Sequence, residues 1–286
     1  MLHSPAQSGR PPEHEAPVPP RYPLPLAALI PPVVAGLDGP RGAPRPFRRD
    51  ALALTAGLRA ALEVSGSEHI PAAGPCVLTP NHYHRPGFNA AWIVLAISAL
   101  VPAEVHWVMT AEWTYRGWRA GWALRPLSRW LLGRIARLYG FTAMPAMPPD
   151  PGEAAARAGA VRALLARARR LPPPLLGIAP EGRDVPAGAL GWPPPGAGRL
   201  FLRLAALGFA IVPVGLYERS ERLCVAFGPR YALAAPGAAG ARERDEAARR
   251  TLMEHIAALL PPERRGPFVP AVAPAAREAA TLTDAA

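Results

Sequence analysis

A short apolar run, Cys76-Val77-Leu78-Thr79, opens directly into Pro80-Asn81-His82-Tyr83-His84-Arg85-Pro86-Gly87, and a second apolar run, Phe88 to Leu100, follows. The first run has the length of a buried strand. Gly74-Pro75 precedes it and an Asn-His pair ends it, which marks a strand that stops at a loop. The second run is long enough for a helix, and Pro86 stands where a helix start tolerates proline. A histidine therefore lies where a strand hands over to a helix, the place where open α/β sheets put their chemistry. About a hundred residues on comes Ala179-Pro180-Glu181-Gly182-Arg183-Asp184, and then Ile211-Val212-Pro213-Val214-Gly215.

At these three blocks the chain resembles the glycerolipid acyltransferases, the family that includes lysophosphatidate acyltransferase. That family carries Asn-His-x-x-x-x-Asp, then Pro-Glu-Gly-Thr-Arg, then a Val-Pro-Val-type strand, in this order and at about this spacing. The run-up from Val64 to Pro75 resembles its strand-turn approach, and Thr110-Ala111-Glu112-Trp113 looks like a drifted form of its Ala-Lys-x-Glu-Leu region. The resemblance covers roughly residues 60 to 230. It implies an α/β fold, a mixed central sheet flanked by helices in a single domain. It also implies transfer of a fatty acyl group from acyl-CoA or acyl-carrier protein to the hydroxyl of a lysophospholipid or related lipid acceptor.

The departures from that pattern are specific. The fifth residue after His82, where the family has Asp, is Gly87, and the fifth after His84 is Asn89. Pro180-Glu181-Gly182-Arg183 lacks the Thr, so its Arg comes one place early. The family's Gly-Phe-Ile-x-Arg-like block should fall at Tyr139-Gly140-Phe141-Thr142-Ala143-Met144, which contains no Arg. A less charged acceptor, such as a glycolipid or another alcohol, is therefore open beside a glycerol phosphate.

Acyl transfer to a hydroxyl needs a base for the hydroxyl proton and donors for the tetrahedral oxyanion. Histidine suits the first role, since neutral imidazole is available near pH 7. The resemblance selects His82 as the base, with His84 as the alternative. An acidic partner would fix the ring tautomer, and Gly87 cannot supply one. Glu181, Glu112, Asp184, Asn89 or a backbone carbonyl are the candidates to replace it. Arg183, with Arg199 second, is expected to hold a phosphate, because guanidinium presents paired donors to its oxygens. Asn81, Arg85, Glu181 and Gly182 complete the expected substrate-binding set. No metal and no bound cofactor are called for; the acyl thioester enters as a substrate.

The net charge of +11 favours an anionic partner: a membrane surface, a phosphate substrate or a nucleic acid. All 32 basic residues are arginine. No nucleic-acid motif in its required context is visible, so nucleic acid is not expected as a partner. Cys76 and Cys224 both lie in apolar runs, as reduced core thiols of a cytoplasmic protein would. The first residues show no secretory pattern of a basic then an apolar region.

Residues 1–45 are expected to be a Pro-rich flexible segment, 46–262 the acyltransferase-like domain, and 263–286 a flexible tail. Pro23, Pro25, Pro31 and Pro32 interrupt the apolar stretch Tyr22 to Leu37 and exclude a spanning helix there. Helices are expected from Asp50 to Glu63, Phe88 to Val101, Glu153 to Arg170, Gly196 to Leu207 and Ala241 to Leu260. Strands are expected at Leu175 to Ile178, Phe209 to Leu216 and Leu223 to Phe227. Trp107, Trp113, Trp118, Trp122 and Trp130 interleave with Arg116, Arg119, Arg125, Arg129, Arg134 and Arg137. Tryptophan prefers the membrane–water interface and arginine snorkels to headgroups, so this stretch is read as a monotopic surface on an anionic membrane, on its cytoplasmic face. A fold that binds lipid without turnover is the alternative function, motivated by the missing Asp.

Overall fold

A computed structural model describes Tyr22 and residues 26–38, 43–88, 90–113, 121–148, 150–183, 188–235, 237 and 240–270. In chain order its elements are α1 (Leu26–Asp38), α2 (Phe47–Thr55), β1 (Leu62–Ser65), β2 (Cys76–Pro80), α3 (Ala91–Leu100), β3 (Val105–Thr110) and α4 (Gly121–Tyr139). They continue as β4 (Thr142–Met144), α5 (Ala154–Ala168), β5 (Leu175–Gly177), α6 (Ala197–Ala206), β6 (Ala210–Arg219), β7 (Arg222–Phe227) and α7 (Ala241–Ala257).

The strands form one seven-stranded sheet in the order β1-β7-β6-β2-β5-β3-β4. Its pairs are parallel except β6–β7, which are antiparallel. Strands covered on both faces by helices read as continuous apolar runs, and their side chains alternate between the two faces. Cys76, Leu78, Leu175 and Val212 pack into the core that includes α2 and α3 residues. Their neighbours Val77, Leu176 and Ile211 pack into the other core, with Leu164 of α5, Phe201 and Leu204 of α6 and Leu252 of α7. The mixed α/β architecture is thus the one the sequence implies.

β2 and β5 are hydrogen-bonded neighbours, with Cys76 opposite Leu175 and Leu78 opposite Gly177. Beyond the last pair, Ile178 N still donates to Leu78 O at 3.0 Å. The loops after β2 and after β5, which carry the first two sequence blocks, therefore leave the same edge of the sheet side by side. β6 flanks β2 on its other side, with Pro80 opposite Val214.

Several sequence expectations need correction. Trp107 is not interfacial: it lies in β3, 2% exposed. Its indole N–H donates to Ser98 Oγ at 2.9 Å, and its ring lies over Gly177, where a Cβ would come within 2.3 Å of it. The helix expected from Asp50 to Glu63 starts earlier, at Phe47, and ends at Thr55. A 3-10 stretch follows, and Leu62–Ser65 pairs with β7 instead, where Leu62 and Val64 pack against the core. Residues 26–38 are helical although Pro31 and Pro32 lie inside. Each proline removes a donor. Tertiary contact holds the helix: Ala28 packs on the core, and Arg134 Nε of α4 donates to Gly36 O at 2.7 Å.

Residues 263–270, expected as the start of the flexible tail, are instead packed on the domain. Phe268 is buried at 4% exposure, with its ring 4.9 Å from that of Trp192, and Leu190 N donates to Arg264 O at 2.9 Å. Residues 263–270 thus pack against the loop before α6. Trp118, Arg116 and Arg119, and the side chain of Trp122, lie outside the described residues. No helix among the described residues is long and apolar enough to cross a membrane.

Candidate active site

Asn81 continues β2 with its side chain. Its amide Nδ2 donates to Leu216 O at 2.9 Å, and its Oδ1 accepts from Leu216 N at 2.6 Å. The residue is 2% exposed. Expected as a substrate contact, its amide is instead committed to the backbone of β6, where it fixes the root of the next loop. His82 follows, half-buried, and its backbone N–H donates to Glu181 Oε2 at 2.7 Å. Tyr83 is buried and His84 half-buried.

The loop then turns sharply. Phe88 N donates to Arg85 O at 3.1 Å, which closes a four-residue turn with Pro86 second and Gly87 third. Gly87 has φ +81°. Proline at the second position and a left-handed glycine at the third are the chemistry of a type II turn. Gly87 is exposed. The residue standing in place of the family's Asp is thus explained by a backbone that a side chain would strain.

The second loop also turns behind a proline, with its left-handed glycine one place later in the turn. Gly182 N donates to Ala179 O at 3.2 Å, with Pro180 at the second position of that turn and Gly182 at φ +62°. Gly182, another expected substrate contact, is exposed and shapes this turn. Between them Glu181 is 1% exposed. Its Oε2 holds His82 N, and its Oε1 accepts from Gly191 N at 2.7 Å. One carboxylate thus ties together the loop after β2, the loop after β5 and the segment before α6. Burial pushes the Glu181 carboxyl above its ordinary pKa; the N–H groups of His82 and Gly191 and the charges of His82 and Arg183 pull against it. Expected in the acceptor site, Glu181 is committed to two backbone amides.

Among the proposed replacements for the motif Asp, Glu112 faces elsewhere. Its Oε1 accepts from Arg125 Nη2 at 2.5 Å, and Arg129 Nε lies 2.8 Å from its Oε2. Asp184 and Asn89 lie outside the described residues. Glu181 meets His82 through the backbone N–H.

The arginines separate. Arg183 is exposed at the mouth of the Glu181 turn, close enough to act electrostatically on Glu181. Arg85 turns away to β6, giving Glu218 two hydrogen bonds at 2.5 and 2.8 Å. Arg199 lies on α6, where it lines a groove of about 230 Å³ with Val161, Gly196, Leu200 and Arg203. Neither His82 nor Glu181 lines that groove. The structure therefore brings His82, Glu181 and Arg183 together, and directs Arg85 and Arg199 to other surroundings.

Two supports are new to the sequence. Glu218 accepts from Arg85, from Tyr83 Oη at 2.8 Å and from Tyr22 Oη. A carboxylate at the end of an otherwise apolar strand was the signal for it. Trp192, one residue past Gly191, packs on Phe268, and the guanidinium carbons of Arg249 and Arg250 lie 5.7 and 5.0 Å from its ring centroid. Nothing local in the sequence marked that contact.

The family model described as Acyltransferase matches residues 61–217, more than half of the chain, and spans the loops of His82 and Glu181. The chain belongs to the acyltransferase family. Among solved structures it is similar to the 1-acyl-sn-glycerophosphate (LPA) acyltransferase, PlsC, from Thermotoga maritima, at 13% identity and a TM-score of 0.46. That alignment covers 73% of this chain and 76% of the other. No curated protein matches the sequence.

Proposed function

We propose that this acyltransferase-family chain moves a fatty acyl group from acyl-CoA or acyl-carrier protein to the hydroxyl of a lysophospholipid or related lipid acceptor, with His82 as general base. The observation that carries this reading is the joining of the His82 loop to the Glu181 turn at the carboxyl edge of β2 and β5, within the stretch that matches the family. In the reaction the acceptor oxygen attacks the thioester carbonyl carbon while its proton passes to the imidazole. The tetrahedral oxyanion then collapses, the C–S bond breaks, and the imidazolium returns the proton to the departing thiolate. The products are an ester and a free thiol. Arg183, exposed beside Glu181, is the cation that would meet an anionic acceptor group.

The surface supports work at a membrane. Leu127 and Trp130 of α4 and Ile30, Val33 and Val34 of α1 turn large apolar side chains to solvent. The Arg134 guanidinium joins the two helices and lies over the Trp130 ring, 5.3 Å from its centroid. Aromatic and aliphatic area bordered by arginine suits an anionic lipid surface. The free, buried thiols of Cys76 and Cys224 suit a cytoplasmic face.

The test supplies purified protein with each thioester donor and a panel of lysolipids and related alcohols, and follows free thiol and ester product. Ester formation dependent on one acceptor class supports the proposal. Folded protein that consumes no thioester with any acceptor overturns it, and favours the binding-only alternative that Gly87 motivates. Flotation with anionic liposomes tests the membrane face; protein remaining at the bottom of the gradient contradicts it.

A further inference from the structure

The loop that carries His82 contains no carboxylate between His82 and Phe88, yet it is held by one. Glu218 lies near the end of β6 with its side chain 8% exposed. Its Oε2 accepts from Arg85 Nε at 2.5 Å and from Tyr83 Oη at 2.8 Å. Its Oε1 accepts from Arg85 Nη2 at 2.8 Å and from the Tyr22 hydroxyl. Two of these donor residues, Tyr83 and Arg85, flank His84 and follow directly on His82.

The remaining donor comes from far outside the loop. The Tyr22 ring lies 5.2 Å from Phe88 and 5.5 Å from Trp92, centroid to centroid, and the Arg85 guanidinium carbon lies 5.9 Å from its centroid. Tyr22 and Glu218 both fall outside residues 61–217, the stretch that matches the family. A carboxylate that accepts four donors, two of them from one guanidinium, has its lone pairs committed and its geometry fixed. Burial pushes the Glu218 carboxyl up, but the donors from Arg85, Tyr22 and Tyr83 outweigh it, so the carboxyl sits below its ordinary pKa.

We propose that Glu218 is a positioning residue that sets the His82 loop through Tyr83 and Arg85, and that Tyr22 completes this clamp from the segment before α1. The part of the proposal that concerns turnover rests on the reading of His82 as the base. The loop is thus held from two directions: by its His82 N–H to the Glu181 turn after β5, and by its Tyr83 and Arg85 side chains to Glu218 of β6.

Glu218→Ala, Glu218→Gln and Tyr22→Phe test it with two readouts on the full chain. The first is turnover. Displacement of a reacting group by about 1 Å costs about 100-fold, so Glu218→Ala is expected to lose about that much in kcat with donor KM within about twofold. Glu218→Gln should lose less, and Tyr22→Phe, which removes one hydrogen bond, about fivefold. The second readout is the rate of diethyl pyrocarbonate modification at each histidine, resolved by peptide mass spectrometry and independent of activity. His82 should react faster in the Glu218 variants, while buried His106 retains its wild-type protection.

Wild-type kcat and wild-type His82 modification in Tyr22→Phe and Glu218→Gln together overturn the proposal, even where Glu218→Ala fails to fold. Equal acceleration at His106 also overturns it, because it shows global loosening. If the wild type turns over no acceptor but His82 still loosens selectively, the clamp stands and the acyl-transfer reading fails.

Discussion

Replacing Glu181 should uncouple three parts of the site at once, and its cost follows from what its two oxygens do. In Glu181→Ala the part-buried backbone N–H groups of His82 and Gly191 each lose a carboxylate acceptor, at 2.7 Å in both cases. An unsatisfied buried donor costs about 1–3 kcal/mol, so two part-buried ones set an upper bound of about 2–6 kcal/mol on the gross loss. Part of it is returned, since the buried carboxylate itself is held against desolvation, as its raised pKa shows. A net loss of about 2–4 kcal/mol follows. Glu181→Gln keeps one acceptor but turns its NH₂ toward the other N–H, so about 1–3 kcal/mol is expected. For a domain of this size each kcal/mol lowers Tm by about 2–4 °C. Calorimetry and urea melts give both numbers, and turnover should fall in the same order, wild type above Gln above Ala. Glu181→Ala that melts within about 1 kcal/mol of wild type and retains full turnover would refute the bridge.

Further outcomes follow from neighbouring geometry. Restoring the family residue with Gly87→Asp should not raise activity: at φ +81° a side chain costs about 1–2 kcal/mol, and the position is exposed beside Arg85, so thermal melts should fall and turnover should not rise. Burial, with Arg167 and Arg170 nearby, holds the His106 imidazole at about 4, below its ordinary 6.5. The unfolded chain therefore binds a proton that the folded one refuses. Stability is lost as pH falls from 6.5 towards 4, by up to about 3 kcal/mol at 1.36 kcal/mol per pH unit. Melts across that window should slope for wild type and flatten in His106→Gln; parallel curves would contradict the assignment.

How much of this was legible depended on where each residue's partners lie. β2, β5 and β6 could be read because strands buried on both faces give unbroken apolar runs, and Gly-Pro, Asn-His and Pro-Glu-Gly punctuate them. β3 was hidden by His106 and Trp107, which look like a polar or interfacial stretch. Only the structure shows His106 Nε2 at 2.8 Å from Thr142 Oγ1 of β4 and Trp107 bonded to Ser98. Gly87 was visible as a departure, but Pro86 was read as a helix start, whereas the structure puts it in the turn with Gly87 and begins α3 only at Ala91. Arg85 looked like a substrate ligand because its partner, Glu218, is 133 residues away. Tyr22 is 196 residues from the same carboxylate. Local pattern cannot report such pairings, and the docking of Phe268 on Trp192 escaped for the same reason.

The central claim is that the half-buried imidazole after Asn81 takes the acceptor proton. The most direct measurement is acyl transfer by wild type, His82→Ala and His84→Ala with labelled thioester and an accepted lysolipid, each protein shown to be folded. General-base catalysis contributes about 10²–10⁴, so His82→Ala should lose at least about 100-fold in kcat while His84→Ala stays near wild type. Full turnover in His82→Ala, or loss confined to His84→Ala, would contradict the account.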